Sequence, residues 1–218
     1  MTYQIVAAGQ SRSFPDAHPF LDAATPAGKG IVFLGADAGK AFTTQPENPA
    51  ATFVAVELGT ECLGVHTGEH AGQEGSNVVG FARFRLGDTT PSNLVELVKQ
   101  PGTSPDAIEA AREAFRAAGL VVAVCNDFPG RIVDRLVRPY YNAALRRLDE
   151  KLATAKDMDQ TLRLGLGYPE GPISLLERTG LEHHFAVTSA LYAALGQEAY
   201  APARRARVAA ERAGWMGP

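Results

Sequence analysis

Hydrophobic and polar positions follow two rhythms along this chain, and the change falls between residues 126 and 130. In the first part, short apolar runs stop at Gly, Pro, Asp or Asn. They are "YQIVAAG" (3–9), "GIVFLGA" (30–36), "TFVAVEL" (52–58), "NVVGFARF" (77–84), "LVELVK" (94–99) and "LVVAVCN" (120–126). Runs of this length with such punctuation predict strands. Their near-continuous hydrophobicity suits strands buried on both faces, as in a parallel sheet. The connections over 11–29 and 41–50 are rich in Pro and Ala and leave room for a short helix at most. The first full helix is predicted over 104–119. Ser104 stands at the cap, Pro105 at the first helical position and Gly119 at the end. Ala107, Ile108, Ala111, Phe115 and Ala118 form its apolar stripe.

After Pro129 the period lengthens. Ile132, Val133, Leu136, Val137, Tyr140, Ala144, Leu145 and Leu148 recur at helical spacing to about residue 150. So wide a stripe predicts a core helix, with Pro139 placed to kink it. A second helix is predicted over 154–167, with Thr154 as cap and Asp157 in the capping-box position. Segments 171–180, 181–196 and 201–214 complete a helical part. The expected division is an α/β domain over 1–126 and an all-helical domain over 127–218. There is no internal repeat.

Composition narrows the class. The 218 residues are 45% hydrophobic and 21% charged, with a net charge of -3. That is an ordinary globular balance with no electrostatic footprint for nucleic acid. Arg204, Arg205, Arg207 and Arg212 read as a solvated helix face. Cys62 and Cys125 match no metal or redox spacing, and Cys125 reads as a core thiol. No apolar run is long enough to span a membrane. A cytoplasmic protein is expected.

The search for chemistry yields little. A dinucleotide loop needs G-x-G-x-x-G directly after the first strand, so that the backbone can approach pyrophosphate at a helix N-terminus. Here "QIVAAG" is followed by "QSRSFPD", which keeps Gly9 alone and places Pro15 against an immediate helix. "GKGIVF" precedes a strand, and "GLGYPEG" follows none. His66 and His70, with Glu61 and Glu69 nearby, would suit a metal only on a helix. "CLGVHTGEHAG" reads as a loop, so no metal site is expected. His183 and His184 open a predicted helix, where a charged imidazole is disfavoured, and read as surface or packing residues. Glu96 in "LVELV" has two open readings: a carboxylate turned to solvent, or one that orients a histidine base.

Two long segments carry a resemblance. "NDFPGRIVDRLVRPYYNAAL" and "ATAKDMDQTLRLGLGYPEGPISLLERTGLE" follow the patterns D-x-P-G-F-x-x-N-R and D-x-x-x-x-x-G-x-G-x-P-x-G-P. They resemble the C-terminal domain of the bacterial and mitochondrial 3-hydroxyacyl-CoA dehydrogenases. The likeness extends upstream through "VVGFARF", "NLVELVKQPGTSP" and "AAGLVVAVCND", covering about 77–190. It implies a Rossmann-like domain that binds NAD and a helical domain that completes an acyl-CoA cleft and forms a homodimer. In that family a histidine takes the hydroxyl proton as hydride passes to nicotinamide. A glutamate orients the histidine, and a serine and an asparagine hold the substrate oxygen.

Carried over residue by residue, the resemblance matches the glutamate to Glu96. It matches the histidine to Ala82, the asparagine to Asp134 and the phenylalanine after Pro-Gly to Arg131; the serine falls near Thr60. An anion at Asp134 would repel a developing oxyanion unless neutralised. The chain also reaches its Pro-Gly element sooner than the family does, at the expense of the first βαβ unit. The fold expected is therefore α/β plus all-α: a truncated Rossmann-like domain over 1–126, then a helical dimerisation domain over 127–218. No cofactor is expected, although the family uses NAD. Three functional readings follow: a dehydrogenase relative with lost or strongly reduced NAD chemistry that keeps a dimeric scaffold and an acyl-CoA cleft; an active 3-hydroxyacyl-CoA dehydrogenase with a rearranged site using His66, His70 or Asp134; and a non-catalytic partner subunit of an intact paralogue.

Overall fold

A computed structural model describes residues 2–45, 48–68 and 72–214. The chain divides into two compact units, Met1–Arg85 with Thr90–Ile132, and Val133–Pro218 with Leu86–Thr89. The turn after Asn126 thus belongs to the first unit as far as Ile132.

The first unit is built on a six-stranded sheet. Its strands are β1 (Tyr3–Ala7), β2 (Gly30–Leu34), β3 (Val54–Glu57), β4 (Val78–Arg83), β5 (Leu94–Lys99) and β6 (Val121–Asn126), side by side in chain order. Each predicted run supplies one of them. β1 to β4 are parallel, β5 is antiparallel to β4, and β6 is parallel to β5. The sheet is therefore mixed and not uniformly parallel. Residues 84–93 are too few for a crossover helix, so the chain returns antiparallel.

Alternation along the strands sorts the side chains onto two faces. Val32, Leu34, Ala55, Val79, Phe81, Val95 and Leu97 face one core. Ile31, Phe33, Val54, Val56 and Val98 face the other. Helix α4 (Pro105–Ala117) covers the first face with Ala107, Ala110, Ala111, Ala114 and Phe115. Ser104 is its N-cap residue by backbone, but its side chain makes no capping bond. Residues 8–29 lie on the same face and contain only the four-residue helix α1 (Pro19–Asp22). Phe20 in α1 is fully buried, its ring stacked 4.8 Å from Phe14 and 4.6 Å from Phe115. The second face is covered by α2 (Ala38–Thr44) and by Leu63 before α3 (Gly64–Thr67). Residues 64–67 read as loop in the sequence and form a single helical turn in the structure.

This arrangement fixes a feature of handedness. The β1–β2 connection packs on the first face, while the β2–β3 and β3–β4 connections pack on the second. All three steps run between parallel neighbours in the same direction across the sheet. The first connection therefore has the opposite hand to the next two. Crossovers of this kind are right-handed in about 98% of cases, which makes the β1–β2 connection the exception.

The second unit is helical: α5 (Val133–Asp149), α6 (Ala155–Leu166), α7 (Pro172–Thr179), α8 (Leu181–Leu195), a 3-10 turn (Glu198–Tyr200) and α9 (Arg204–Arg212). α5 continues through Pro139. Its core joins Tyr141, Leu145, Ile173, Leu176, Phe185, Ala203, Ala206 and Ala210. Thr154 caps α6 as its sequence predicts, its hydroxyl accepting from the Asp157 N–H. The last glycine of the G-x-G-x-P-x-G-P segment is explained by Asp159. This buried carboxylate accepts from the N–H groups of Ile173 and Ser174, both at 2.9 Å, and from the Ser174 hydroxyl. It thereby satisfies orphan donors at the start of α7. A Cβ on Gly171 would lie 2.2 Å from the Cβ of Asp159, so glycine is required for the carboxylate to reach them.

Candidate functional site

Glu96 is in the middle of β5 and is 2% exposed. The solvent-facing reading is thereby removed. Directly across the β4–β5 ladder stands Ala82, itself buried. The pairing places at Ala82 the position that the resemblance gives to a histidine. With no imidazole opposite, Glu96 is engaged by the turn after β6. One oxygen accepts from the Ile132 N–H at 2.8 Å, and the other is 3.4 Å from Nε of Arg131. Arg131 is equally buried and donates from Nη2 to the Gly59 carbonyl at 2.7 Å. Its Nη1 has no hydrogen-bond partner among the described residues. Its backbone is left-handed, with φ 50, a conformation that costs a side-chain-bearing residue on the order of 1–2 kcal/mol. The neighbouring Gly130 N–H bonds the Thr60 carbonyl at 2.9 Å. Here, then, Glu96 holds a guanidinium and a turn.

Among the described residues, the other groups near Glu96 offer no ready nucleophile or base. Burial first, then the Glu96 carboxylate, pushes the Cys125 thiol up to about 11, with Arg131 opposing; it stays protonated at neutral pH. Asp127 of the Asp-x-Pro-Gly pattern accepts from the N–H groups of Leu63 and Gly64 at the start of α3, at 2.6 and 2.8 Å, and from Gln100. Its role is to tie β6 to α3. His66 lies on α3, 3.5 Å from Glu61. Glu69 and His70 lie outside the described residues. Among the described residues no three His, Cys, Asp or Glu side chains gather as a metal set.

Sequence reasoning missed Glu57. It ends β3, is 6% exposed, and accepts from the Ser11 hydroxyl at 2.9 Å, the Ser13 N–H at 2.7 Å and the Gly35 N–H at 2.7 Å. One signal was available: a carboxylate closing an apolar run, followed by "LGT".

In the second unit, Asp134 sits in the first turn of α5 and pairs with Arg138 one turn on, Nε to Oδ1 at 2.7 Å. The arginine supplies the neutralising charge that an anion at this position requires. From Arg138 a buried chain of hydrogen bonds runs inward. Its Nη1 lies 3.0 Å from Nδ1 of His184. A guanidinium can only donate, so Nδ1 accepts and Nε2 carries the proton. Nε2 then donates to Oδ1 of Asn142 at 3.0 Å. The Asn142 amide donates to the Thr188 hydroxyl and the Ala199 carbonyl, and Thr188 donates to the Tyr200 carbonyl. His184 is thus the hub of the helical core, although its position at a helix start suggested packing or surface. Burial, aided by Arg138, lowers it from 6.5 to about 3.

Comparison with known proteins places the helical part beside one family. Residues 130–216 match the family model "3-hydroxyacyl-CoA dehydrogenase, C-terminal domain". The helical part of the chain is thus similar in sequence to the C-terminal domain of the 3-hydroxyacyl-CoA dehydrogenases. The 3-hydroxyadipyl-CoA dehydrogenase of Escherichia coli (strain K12) is 38% identical over 105 residues, 48% of this chain and 22% of that protein. The mitochondrial hydroxyacyl-coenzyme A dehydrogenase of Homo sapiens is 40% identical over 103 residues, 47% of this chain and 33% of that one. The matched stretch thus spans a fifth to a third of these relatives. In fold, the chain resembles a crystal structure of (S)-3-hydroxybutyryl-CoA dehydrogenase from Ralstonia eutropha, with a TM-score of 0.70 at 23% identity over 88% of this chain and 68% of that one. The first unit is therefore Rossmann-like, and the second is a 3-hydroxyacyl-CoA dehydrogenase helical domain. No described helix is long and apolar enough to cross a membrane.

Two outcomes follow for this chain. Glu96→Ala strands the buried Arg131 charge and lowers unfolding free energy by about 3 kcal/mol. In denaturant titrations the double variant Glu96→Ala/Arg131→Ala loses less than the sum of the single losses; strict additivity would refute the coupling. His184 titrates at about 3 when folded and 6.5 as the reference. The unfolded chain therefore binds the extra proton first. The stability contributed is complete above about pH 6.5 and falls by roughly 1 kcal/mol per unit as pH drops towards 3. Urea midpoints across that range decline less steeply in His184→Gln; parallel slopes would remove His184 as the cause.

Proposed function

We propose that this protein is a 3-hydroxyacyl-CoA dehydrogenase relative with lost or strongly reduced NAD-dependent oxidation of 3-hydroxyacyl-CoA, which retains the helical scaffold and an acyl-CoA cleft. The observation that carries the reading is the Ala82–Glu96 pairing. The position for the proton-accepting histidine bears a methyl group, and the glutamate that would orient it is bound to Arg131 and Ile132. Removing a general base costs about 10²–10⁴-fold in rate. The sheet supports the same view for the cofactor. Dinucleotides bind where strand order reverses, as in 3-2-1-4-5-6, and here the order is monotonic.

Titration of the purified protein with NADH, followed by cofactor fluorescence, is expected to show no saturable micromolar binding. Turnover of acetoacetyl-CoA with NADH is expected at least about 10²-fold below that of an intact dehydrogenase. Micromolar NADH binding with ordinary turnover would refute the reading.

The helical unit is also proposed to form a homodimer in a reducing, cytoplasmic setting; both cysteines are free. Leu136, Leu164 and Leu166 of this unit are 71%, 78% and 62% exposed, an apolar load that self-association would cover. Light scattering is expected to give twice the chain mass, and Leu164→Glu/Leu166→Glu to shift it towards one. A monomeric wild-type protein would sink this part of the proposal.

A further inference from the structure

We propose that the Glu57 carboxylate is a built-in occupant of an oxyanion cradle, holding by its own side chain the place that a ligand phosphate would take at the carboxyl ends of β1, β2 and β3. The inference rests on the reading that NAD chemistry is lost and deepens it, because it names what fills the crevice.

Three strand ends converge on this one carboxylate. Residues just after β1 bring the Ser11 hydroxyl and the Ser13 N–H, the residue after β2 brings the Gly35 N–H, and β3 ends on Glu57 itself. In open α/β sheets, ligands bind outside the carboxyl ends of the strands, and anions are met there by backbone N–H groups. Glu57 has the charge, the place and the donor set of such an anion.

The cradle is also built to stay. Gly35 has φ +119, and a Cβ there would lie 2.3 Å from the Ala8 carbonyl oxygen. Only glycine therefore lets its N–H face the carboxylate. On the far side, Arg83 at the end of β4 bonds the Ser13 carbonyl at 2.8 Å and the Ser92 carbonyl at 2.9 Å, and its guanidinium lies over the Phe14 ring. The Ser13 hydroxyl accepts from the Arg83 N–H, and the Ser11 hydroxyl from the Phe14 N–H. Segment 11–14 is thus fastened over the strand ends from both sides. Its donors are fixed by backbone and ring packing as well as by Glu57. Deleting the carboxylate would leave aligned, buried donors for the oxygens of a phosphate group.

The test compares the wild-type chain, Glu57→Ala and Glu57→Gln in thermal melts with inorganic phosphate, ADP and acetate. Phosphate and ADP probe the proposed class, and acetate replaces only the atoms removed from Glu57. In Glu57→Ala, phosphate or ADP at about ten times its dissociation constant is expected to raise Tm by about 3–6 °C. The wild-type protein and Glu57→Gln, whose side chains fill the cradle, are expected to stay flat. If Glu57→Ala is recovered unfolded, refolding on addition of about 50 mM phosphate is expected. The proposal is overturned by a folded Glu57→Ala that ignores phosphate and ADP, by a response to acetate alone, by an equal response in wild type, or by failure to refold with phosphate. The wild-type NADH titration reads the underlying functional proposal separately, since it involves no change at Glu57.

Discussion

A carboxylate buried in a sheet must gather donors or lose its charge, and that constraint organises the first unit. Glu57 and Glu96 occupy opposite faces of the sheet, as the alternation of their strands requires. Each draws in a different part of the chain. Glu57 fastens the segment after β1 over the ends of three strands. Glu96 fastens the turn after β6 through Ile132 and Arg131. The irregular parts of the unit are therefore fixed by two acids more than by their own turn propensities. The second unit repeats the device with Asp159 at the start of α7 and Asp134 beside Arg138.

The same constraint connects fold to chemistry. A carboxylate that orients a histidine base must keep its acceptor oxygens for the imidazole N–H. Here Glu96 faces a methyl group across the ladder and carries an ion pair on its other side. Arg131 accepts a left-handed backbone to make that pair, so its position is held against local preference by the charge opposite. Residues 82 and 131 are then linked through Glu96, which faces the first across the ladder and pairs with the second. A buried carboxylate that faces a methyl group needs a cationic or donor partner elsewhere, and the turn after β6 provides it.

Much of this architecture was legible in the sequence. All six strands and α4 through α9 lie where apolar period and caps place them, because their side chains answer to burial on a defined face. Of the thin helices, α1 was allowed for only as a short helix somewhere in 11–29, and α3 read as loop. α1 and α3 have four residues each, too few for a period to register. The antiparallel return into β5 was missed because a buried apolar run carries no sign of direction. Glu57 and His184 were missed for a related reason. Each looks polar in sequence, and only its assembled partners, distant in the chain, make it interior. The glycines of the Gly-x-Gly-x-Pro-x-Gly-Pro segment were legible as a resemblance, while the cause of its last glycine lies in the approach of Asp159.

The odd hand of the β1–β2 connection ties these threads together. Removing strands 2 and 3 from the order 3-2-1-4-5-6 leaves 1-4-5-6, a monotonic series like the one seen here. In the full order, the connection leaving strand 1 lies on one face, and the crossovers into 4, 5 and 6 lie on the other. A direct link from 1 to 4 that stays on the first face must then take the disfavoured hand. That is the arrangement of residues 8–29, which stay with α4 on the first face while α2 and α3 lie on the second. A connection of unfavourable hand needs anchors that a right-handed helix would not. Phe14 and Phe20 supply them by stacking in the core, and Glu57 and Arg83 by fastening Ser11 and Ser13. The monotonic strand order, the change of hand and the carboxylate thus meet at one place, the carboxyl ends of β1, β2 and β3.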